Sequence, residues 1–131
     1  MARRKTRTLT ELELQIMQAV WKNDEATVED IRQALKETGK HLALPSIRTM
    51  LGILQEKGYV TRRADGRRYV YRPQVRRNQA RESILKDVVE RAFDGSALDL
   101  VAALIDTRLV SADDIGKVRR LIRQVEGRVK K

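Results

Sequence analysis

Lysine and arginine side chains are concentrated in one stretch of this sequence, and the chemistry they suit is the binding of a polyanion. Between Gly39 and Asn78 the chain carries ten Lys or Arg residues against two acidic ones, a net charge of +8 for that stretch. The whole 131-residue chain has a formal net charge of +10. Nucleic acid is the commonest polyanion that so basic a protein meets, and an anionic membrane surface is the main alternative.

Side chains that catalysis or metal binding would need are scarce. The sequence has no cysteine, which excludes disulfides, thiolate zinc sites and cysteine nucleophiles. Its one histidine, His41, is too few for a histidine-based metal centre. The acidic pairs Glu29 with Asp30 and Asp113 with Asp114 fall in first turns of predicted helices, where negative charge suits the helix dipole. We therefore predict no enzyme, no metal site and no cofactor.

Apolar residues form no run that approaches the roughly 20 residues of a membrane span. This predicts a cytoplasmic protein that does not insert into a membrane. Binding to a membrane surface is disfavoured as well, because the basic residues lie on a predicted hairpin rather than along one amphipathic helix.

The elements that must position the basic stretch can be predicted from capping residues. Thr10 with Glu13, and Thr27 with Asp30, have the spacing of capping boxes, so each pair marks the start of a helix. Apolar residues at helical spacing follow both starts.

A third helix and a hairpin follow the first two helices. Pro45 suits the first turn of a helix and Gly58 suits its end. Asp65 with Gly66 is a strong signal for a tight turn between two strands. Three helices followed by a hairpin predict a winged helix–turn–helix domain over residues 1–75.

The remainder, residues 76–131, is predicted to be three further helices, so the fold class is mainly α with a small β-hairpin. The apolar stripe of the sixth helix steps by three and four residues, the spacing of packed or coiled helices. The residues of the three stripes that we single out are Ile84, Leu85, Val88, Val89 and Phe93, then Leu98, Val101 and Ile105, then Ile115, Val118 and Ile122.

A DNA-contacting surface follows from the inward-facing residues of the third helix. With Ile47, Met50, Leu51 and Leu54 turned to the core, the opposite side can enter a major groove, where base pairs show distinct donor and acceptor patterns. The residues on that side and its flank are Pro45, Ser46, Arg48, Thr49, Gly52 and Ile53.

The hairpin would bring further arginines to the DNA. Arg67 and Arg68 lie just past its turn, where they could reach the DNA backbone or the minor groove. Arg62 and Arg63 point to opposite faces of the first strand, so at most one shares this surface. We assign Arg63 to it.

An ordered set of short motifs resembles the penicillinase-repressor family, the BlaI/MecI type, from about residue 8 to residue 126. The motifs are Leu9-Thr10-Glu11-Leu12-Glu13, Val20-Trp21, Ala26-Thr27-Val28 with Ile31, Ser46-Ile47-Arg48-Thr49-Met50-Leu51, Glu56-Lys57-Gly58-Tyr59-Val60 and Tyr69-Val70-Tyr71-Arg72-Pro73.

The resemblance implies a homodimer in which the N-terminal winged helix binds DNA and the C-terminal helices, through the stripes named above, form the dimer interface. It also implies a palindromic operator, regulation of β-lactam-response or related genes, and a membrane sensor protease as a partner. Some relatives instead regulate copper export.

This sequence departs from the family pattern at three places. Ile53 stands where members often carry arginine, so the base preference is expected to differ. The cysteine pairs of copper-responsive members are absent. Ala103-Leu104 stands where the penicillinase repressors have a cleavable Asn-Phe bond, so the sequence leaves open whether DNA is released by proteolysis.

Taken together, the sequence predicts a sequence-specific, DNA-binding transcriptional repressor that acts as a homodimer on a palindromic operator. The alternative is a nonspecific architectural nucleic-acid-binding protein, because the same charge would serve either function.

Overall fold

A computed structural model describes residues 8–129 of the chain, with only the backbone at Val129. The predicted domain ranges 1–75 and 76–131 therefore include residues 1–7 and 130–131, which lie outside the described part. In chain order the elements are α1 Glu11–Asn23, α2 Val28–Glu37, α3 Leu44–Glu56, β1 Val60–Asp65, β2 Arg68–Pro73, α4 Arg77–Ala92, α5 Ala97–Asp106 and α6 Ala112–Val129.

Both predicted capping boxes are confirmed. The Thr10 hydroxyl accepts from the Glu13 backbone N–H at 3.2 Å, and the Thr10 N–H donates to Glu13 Oε1 at 2.9 Å. The same exchange joins Thr27 and Asp30, at 3.1 and 3.0 Å. Each box satisfies backbone N–H groups that have no partner within the helix, so α1 and α2 begin where the sequence predicts.

The hairpin of β1 and β2 is antiparallel and joins a short third segment. Within it Arg62 lies opposite Tyr71, and Gly66 takes a φ of 66° in the turn. Tyr71 also exchanges two backbone hydrogen bonds with Ala26, at 2.8 and 3.0 Å. The connection between α1 and α2 is thereby fixed against β2, a pairing that no local motif predicted.

The hydrophobic core lies among α1, α2, α3 and the inner side of the hairpin. Its fully buried side chains are Ile16, Met17, Val20, Ile31, Ile47, Leu51, Leu54 and Val60. Trp21 lies at the edge of the core, and its indole N–H donates to the Val75 carbonyl at 2.8 Å. This bond ties α1 to the segment after the hairpin.

A buried ion pair joins the start of α1 to the end of α3. Lys57 Nζ lies 2.7 Å from Glu13 Oε1, and the two side chains are only 6% and 3% exposed. The same ammonium donates to the Thr8 carbonyl at 3.1 Å. Because Glu13 also belongs to the capping box, one carboxylate fixes both the beginning of α1 and the C-terminal end of α3.

The chain divides into two compact units, one ending at Asp87 and the other beginning at Val88. The division falls inside α4, whereas the predicted boundary follows residue 75. Ala80, on the first turns of α4, is 1% exposed and belongs to the core of the first unit. The start of this helix therefore packs as part of the first unit.

The second unit consists of the end of α4 with α5 and α6. Ser96 caps α5 by accepting from the Asp99 N–H at 3.1 Å, and Ser111 accepts from the Asp114 N–H at 3.2 Å. No side chain between Val88 and Arg128 is buried. Among the described residues, no helix has both the length and the apolar character needed to cross a membrane.

Candidate nucleic-acid interface

Helix α3 is held in one orientation by its buried face. Ile47, Leu51 and Leu54 are all 0% exposed, one turn apart along that face. Because these side chains cannot leave the core without creating a cavity, the opposite face of α3 must point outward. This is the surface that the sequence assigned to DNA.

The structure places the predicted groove-facing residues on this outer face. Pro45, Ser46, Arg48, Thr49 and Gly52 are exposed. Ile53 is partly buried, at the flank of the face. None of these residues is needed for the core.

The local geometry at Thr49 and at Gly52 bears on how this face could contact DNA. The Thr49 hydroxyl donates to the Pro45 carbonyl at 3.1 Å, so its proton is used within the helix and its lone pairs remain free to accept. At Gly52 a Cβ would meet no atom of the chain within 4 Å. The packing of the fold therefore does not itself require glycine at this position.

A cavity of about 400 Å³ lies between α3, the first turn of α2 and the hairpin. Four arginines and one carboxylate line it, so its lining is strongly positive. The lining residues are Val28, Glu29, Arg48, Gly52, Arg62, Arg67, Arg68, Tyr69 and Tyr71. The outer face of α3 and the basic side of the hairpin thus form one continuous surface.

The register of the hairpin decides which arginine of β1 joins that surface. Arg62 lies opposite Tyr71, and Ala64 lies opposite Tyr69, so these residues share one face of the hairpin. The Arg62 guanidinium carbon sits 4.0 Å from the centroid of the Tyr69 ring. Arg62 therefore lies beside α3, a position that sequence reasoning had assigned to its neighbour.

Arg63 is on the other face of the hairpin and does not line the cavity. Its guanidinium lies 3.3 Å from a carboxylate oxygen of Glu25, and Arg72 approaches the same carboxylate at 3.6 Å. The structure thus does not bring Arg63 together with α3. The turn at Gly66 sets the register of the hairpin, but no signal in the sequence told which face of the hairpin packs beside α3.

Arg67 and Arg68 lie at the turn of the hairpin, as predicted, and both are exposed. Arg68 approaches Asp65 at 3.5 Å, an exposed ion pair that a phosphate could replace at little cost. In the described residues no carboxylate pairs with Arg48, Arg62 or Arg67.

The residues singled out on the apolar stripes lie in both units. Seven are exposed: Leu85, Val88, Leu98, Val101, Ile105, Ile115 and Ile122. The other four are partly buried: Ile84, Val89, Phe93 and Val118. Of these, Ile84 lines a groove of the first unit beside Trp21 on α1. Sequence reasoning missed Leu109 and Leu121, which are exposed by more than half, as is Val125 of the predicted stripe of the sixth helix.

His41 and the Ala103-Leu104 position are the remaining candidates from the sequence. His41 is exposed, and no group of three metal-ligating side chains occurs within residues 8–129. Ala103 and Leu104 lie within α5 and are partly buried.

A helix–turn–helix formed by α2 and α3, with a basic hairpin beside α3, defines a winged helix–turn–helix protein. Halobacterial RosR (H. salinarum) has a similar fold, with a TM-score of 0.52 at 19% identity over 94% of this chain and 98% of that one. At this identity the likeness concerns the fold alone.

Sequence comparison gives the family. The model described as Penicillinase repressor matches residues 9–124. The penicillinase repressor of Bacillus licheniformis is 22% identical over 122 residues, 93% of this chain and 94% of that protein. The methicillin resistance regulatory protein MecI of Staphylococcus aureus is 22% identical over 118 residues, 90% and 95% of the two chains. The chain belongs to the penicillinase repressor family, whose members are DNA-binding transcriptional repressors rather than enzymes.

Proposed function

We propose that this protein is a sequence-specific repressor that binds a palindromic operator as a homodimer. The observation that carries the proposal is the single surface formed by the outer face of α3 and the arginine-lined cavity beside it. In this arrangement α3 reads bases in the major groove, while the arginines bind the flanking phosphates.

The two parts of the surface suit these two tasks. Helix α3 has 13 residues, about 20 Å of helix, and presents small or polar side chains where it would meet base edges. The hairpin presents arginines, which bind phosphates and set the register of the protein on the duplex without reading sequence. Specificity is therefore expected from α3 and most of the salt dependence from the hairpin.

A second copy of the chain is the partner that suits the C-terminal unit. Between Val88 and Arg128 no described side chain is buried, and Leu98 and Leu109 are exposed by 77% and 74%. Large apolar side chains exposed in this number favour an interface. A two-fold dimer would present two copies of α3, which accounts for a palindromic site. As a repressor of genomic DNA, the protein would act in the cytoplasm and have no catalytic role.

The test begins by selecting a preferred site from a random duplex library and titrating it against random DNA. A specific repressor favours its own site by roughly 10³-fold or more, and its log K falls with log salt at a slope of several units. Binding without preference would instead identify the architectural alternative, and an affinity that does not change with salt would contradict DNA binding altogether.

Substitutions then separate the two parts of the surface. Thr49→Ala should relax the preference at one base position and weaken specific binding by about 1–3 kcal/mol. Arg67→Ala should weaken binding to selected and random DNA alike and lower the salt slope by about one unit. If Thr49→Ala leaves the preference unchanged while Arg67→Ala abolishes it, the two surfaces have been assigned the wrong way round.

A further inference from the structure

Tyr69 is an aromatic residue whose exposure the fold does not explain. Its side chain is 44% exposed on β2, while the neighbouring Val70 and Tyr71 are buried. The Arg62 guanidinium carbon lies over its ring, 4.0 Å from the ring centroid. The two residues do not occupy directly paired positions, because Arg62 lies opposite Tyr71 in the register.

A guanidinium that rests over an aromatic ring is held without losing its ability to donate hydrogen bonds. The attraction acts through the face of the guanidinium, whereas its N–H groups lie at the edge and remain directed outward. Within residues 8–129 no carboxylate forms an ion pair with Arg62, although Glu29 lines the same cavity. The ring thus confines a side chain that would otherwise be mobile, and it does so before any ligand arrives.

The place to which Arg62 is confined is the cavity beside α3. Its lining contains three further arginines and one carboxylate, Glu29. Gly52 lies on the α3 side of the same cavity with no Cβ to narrow it. An anion that entered here would meet N–H donors from the hairpin and from α3 at the same time.

We propose that Arg62 binds a phosphate of the DNA backbone in this cavity and that Tyr69 is its positioning residue. This inference rests on the proposed DNA-binding function and specifies one contact of it. A confined arginine loses less side-chain entropy when it binds, so Tyr69 increases affinity without contributing charge.

The chain offers a matched control in Arg63. It is the next residue on the same strand and is also exposed, but it lies on the opposite face, paired with Glu25 at 3.3 Å. Removing either arginine removes one positive charge from β1. Only the removal of Arg62 should remove a phosphate contact.

The experiment measures binding of the full-length protein to a 30-base-pair duplex of random sequence by fluorescence anisotropy, at several salt concentrations. Tyr69→Leu should weaken binding about two- to fivefold at every salt concentration, the range of an exposed cation–π contact, with an unchanged salt slope. Tyr69→Phe keeps the ring and should bind as the wild type does. Arg62→Ala should weaken binding and lower the slope by about 0.9, while Arg63→Ala should change affinity less than twofold.

The double variant Arg62→Ala with Tyr69→Leu tests whether Tyr69 acts only by positioning Arg62 or also contacts the DNA independently. It should bind no more weakly than Arg62→Ala alone, because Tyr69 has nothing left to position. Wild-type affinity in Tyr69→Leu, or a further loss in the double variant, would overturn the inference while DNA binding stands. Failure of the wild type to bind the duplex would overturn the proposed function and this inference with it.

Discussion

The two units of this chain differ in how completely they bury their own apolar side chains. The unit that ends at Asp87 has a closed core with eight large side chains less than 2% exposed. In the unit that begins at Val88, none of the described side chains up to Arg128 is buried, although α5 and α6 carry regular apolar stripes. The first unit therefore has a closed hydrophobic core of its own. The second unit leaves large apolar side chains exposed to solvent.

The first unit contains one buried ion pair beside several exposed ones, whereas Lys117 and Asp114 in the second unit form an exposed pair. Lys57 and Glu13 are nearly inaccessible to solvent and 2.7 Å apart, so they connect two helices through the interior. Lys117 and Asp114 in α6 are 4.0 Å apart with side chains 71% and 55% exposed. A charged group in the interior depends on its partner, whereas an exposed one has water as an alternative. The Lys57–Glu13 pair therefore contributes to the closed core of the first unit, as the exposed pairs of either unit do not.

Separating the two units should have the largest effect. A fragment of residues 8–87 should unfold cooperatively and sediment as a monomer, because its core is closed. A fragment of residues 88–131 should lack cooperative unfolding at low concentration, since short helices without burial are marginal in water. The full chain should be a dimer whose melting temperature rises with concentration. A dimeric 8–87 fragment would place the interface in the first unit.

Removing the buried Lys57 ammonium should have the second largest effect, a loss of unfolding free energy. Lys57→Met leaves Glu13 buried without its cation and is expected to lower the free energy of unfolding by about 3–5 kcal/mol. Lys117→Met is the matched control and should change it by no more than about 0.5 kcal/mol. Denaturant titration of the full chain measures both. Equal effects of the two substitutions would mean that burial does not distinguish these ion pairs.

Replacing one leucine in each unit by alanine should give the smallest of the three differences between the units. Leu51→Ala empties a fully buried site and should cost about 2–5 kcal/mol of unfolding free energy at any protein concentration. Leu98→Ala trims a side chain that is 77% exposed in one chain, so it should act on dimer dissociation and little on the first unit. Sedimentation equilibrium and denaturant titration together resolve the two cases. A loss from Leu98→Ala that is independent of concentration would argue against its place in a dimer interface.

Local signals were sufficient for the order and the ends of the elements. The capping boxes at Thr10 and Thr27 act over three residues, and the turn at Gly66 requires a positive φ, so neighbouring residues alone determine these features. The buried face of α3 could be predicted for a similar reason. Helical periodicity places Ile47, Leu51 and Leu54 on one side without reference to the rest of the chain.

Contacts between distant residues decided the remainder. Alternation along β1 showed that Arg62 and Arg63 point in opposite directions, but only the packing of the hairpin beside α3 determined which of them lines the cavity. The pairing of Ala26 with Tyr71 and the ion pair of Lys57 with Glu13 each span more than forty residues, so no local pattern contains them. The sequence by itself thus determined the elements, the excess of positive charge and the family pattern. The tertiary structure decided which charges meet on one surface, because that depends on how separately formed elements pack against each other.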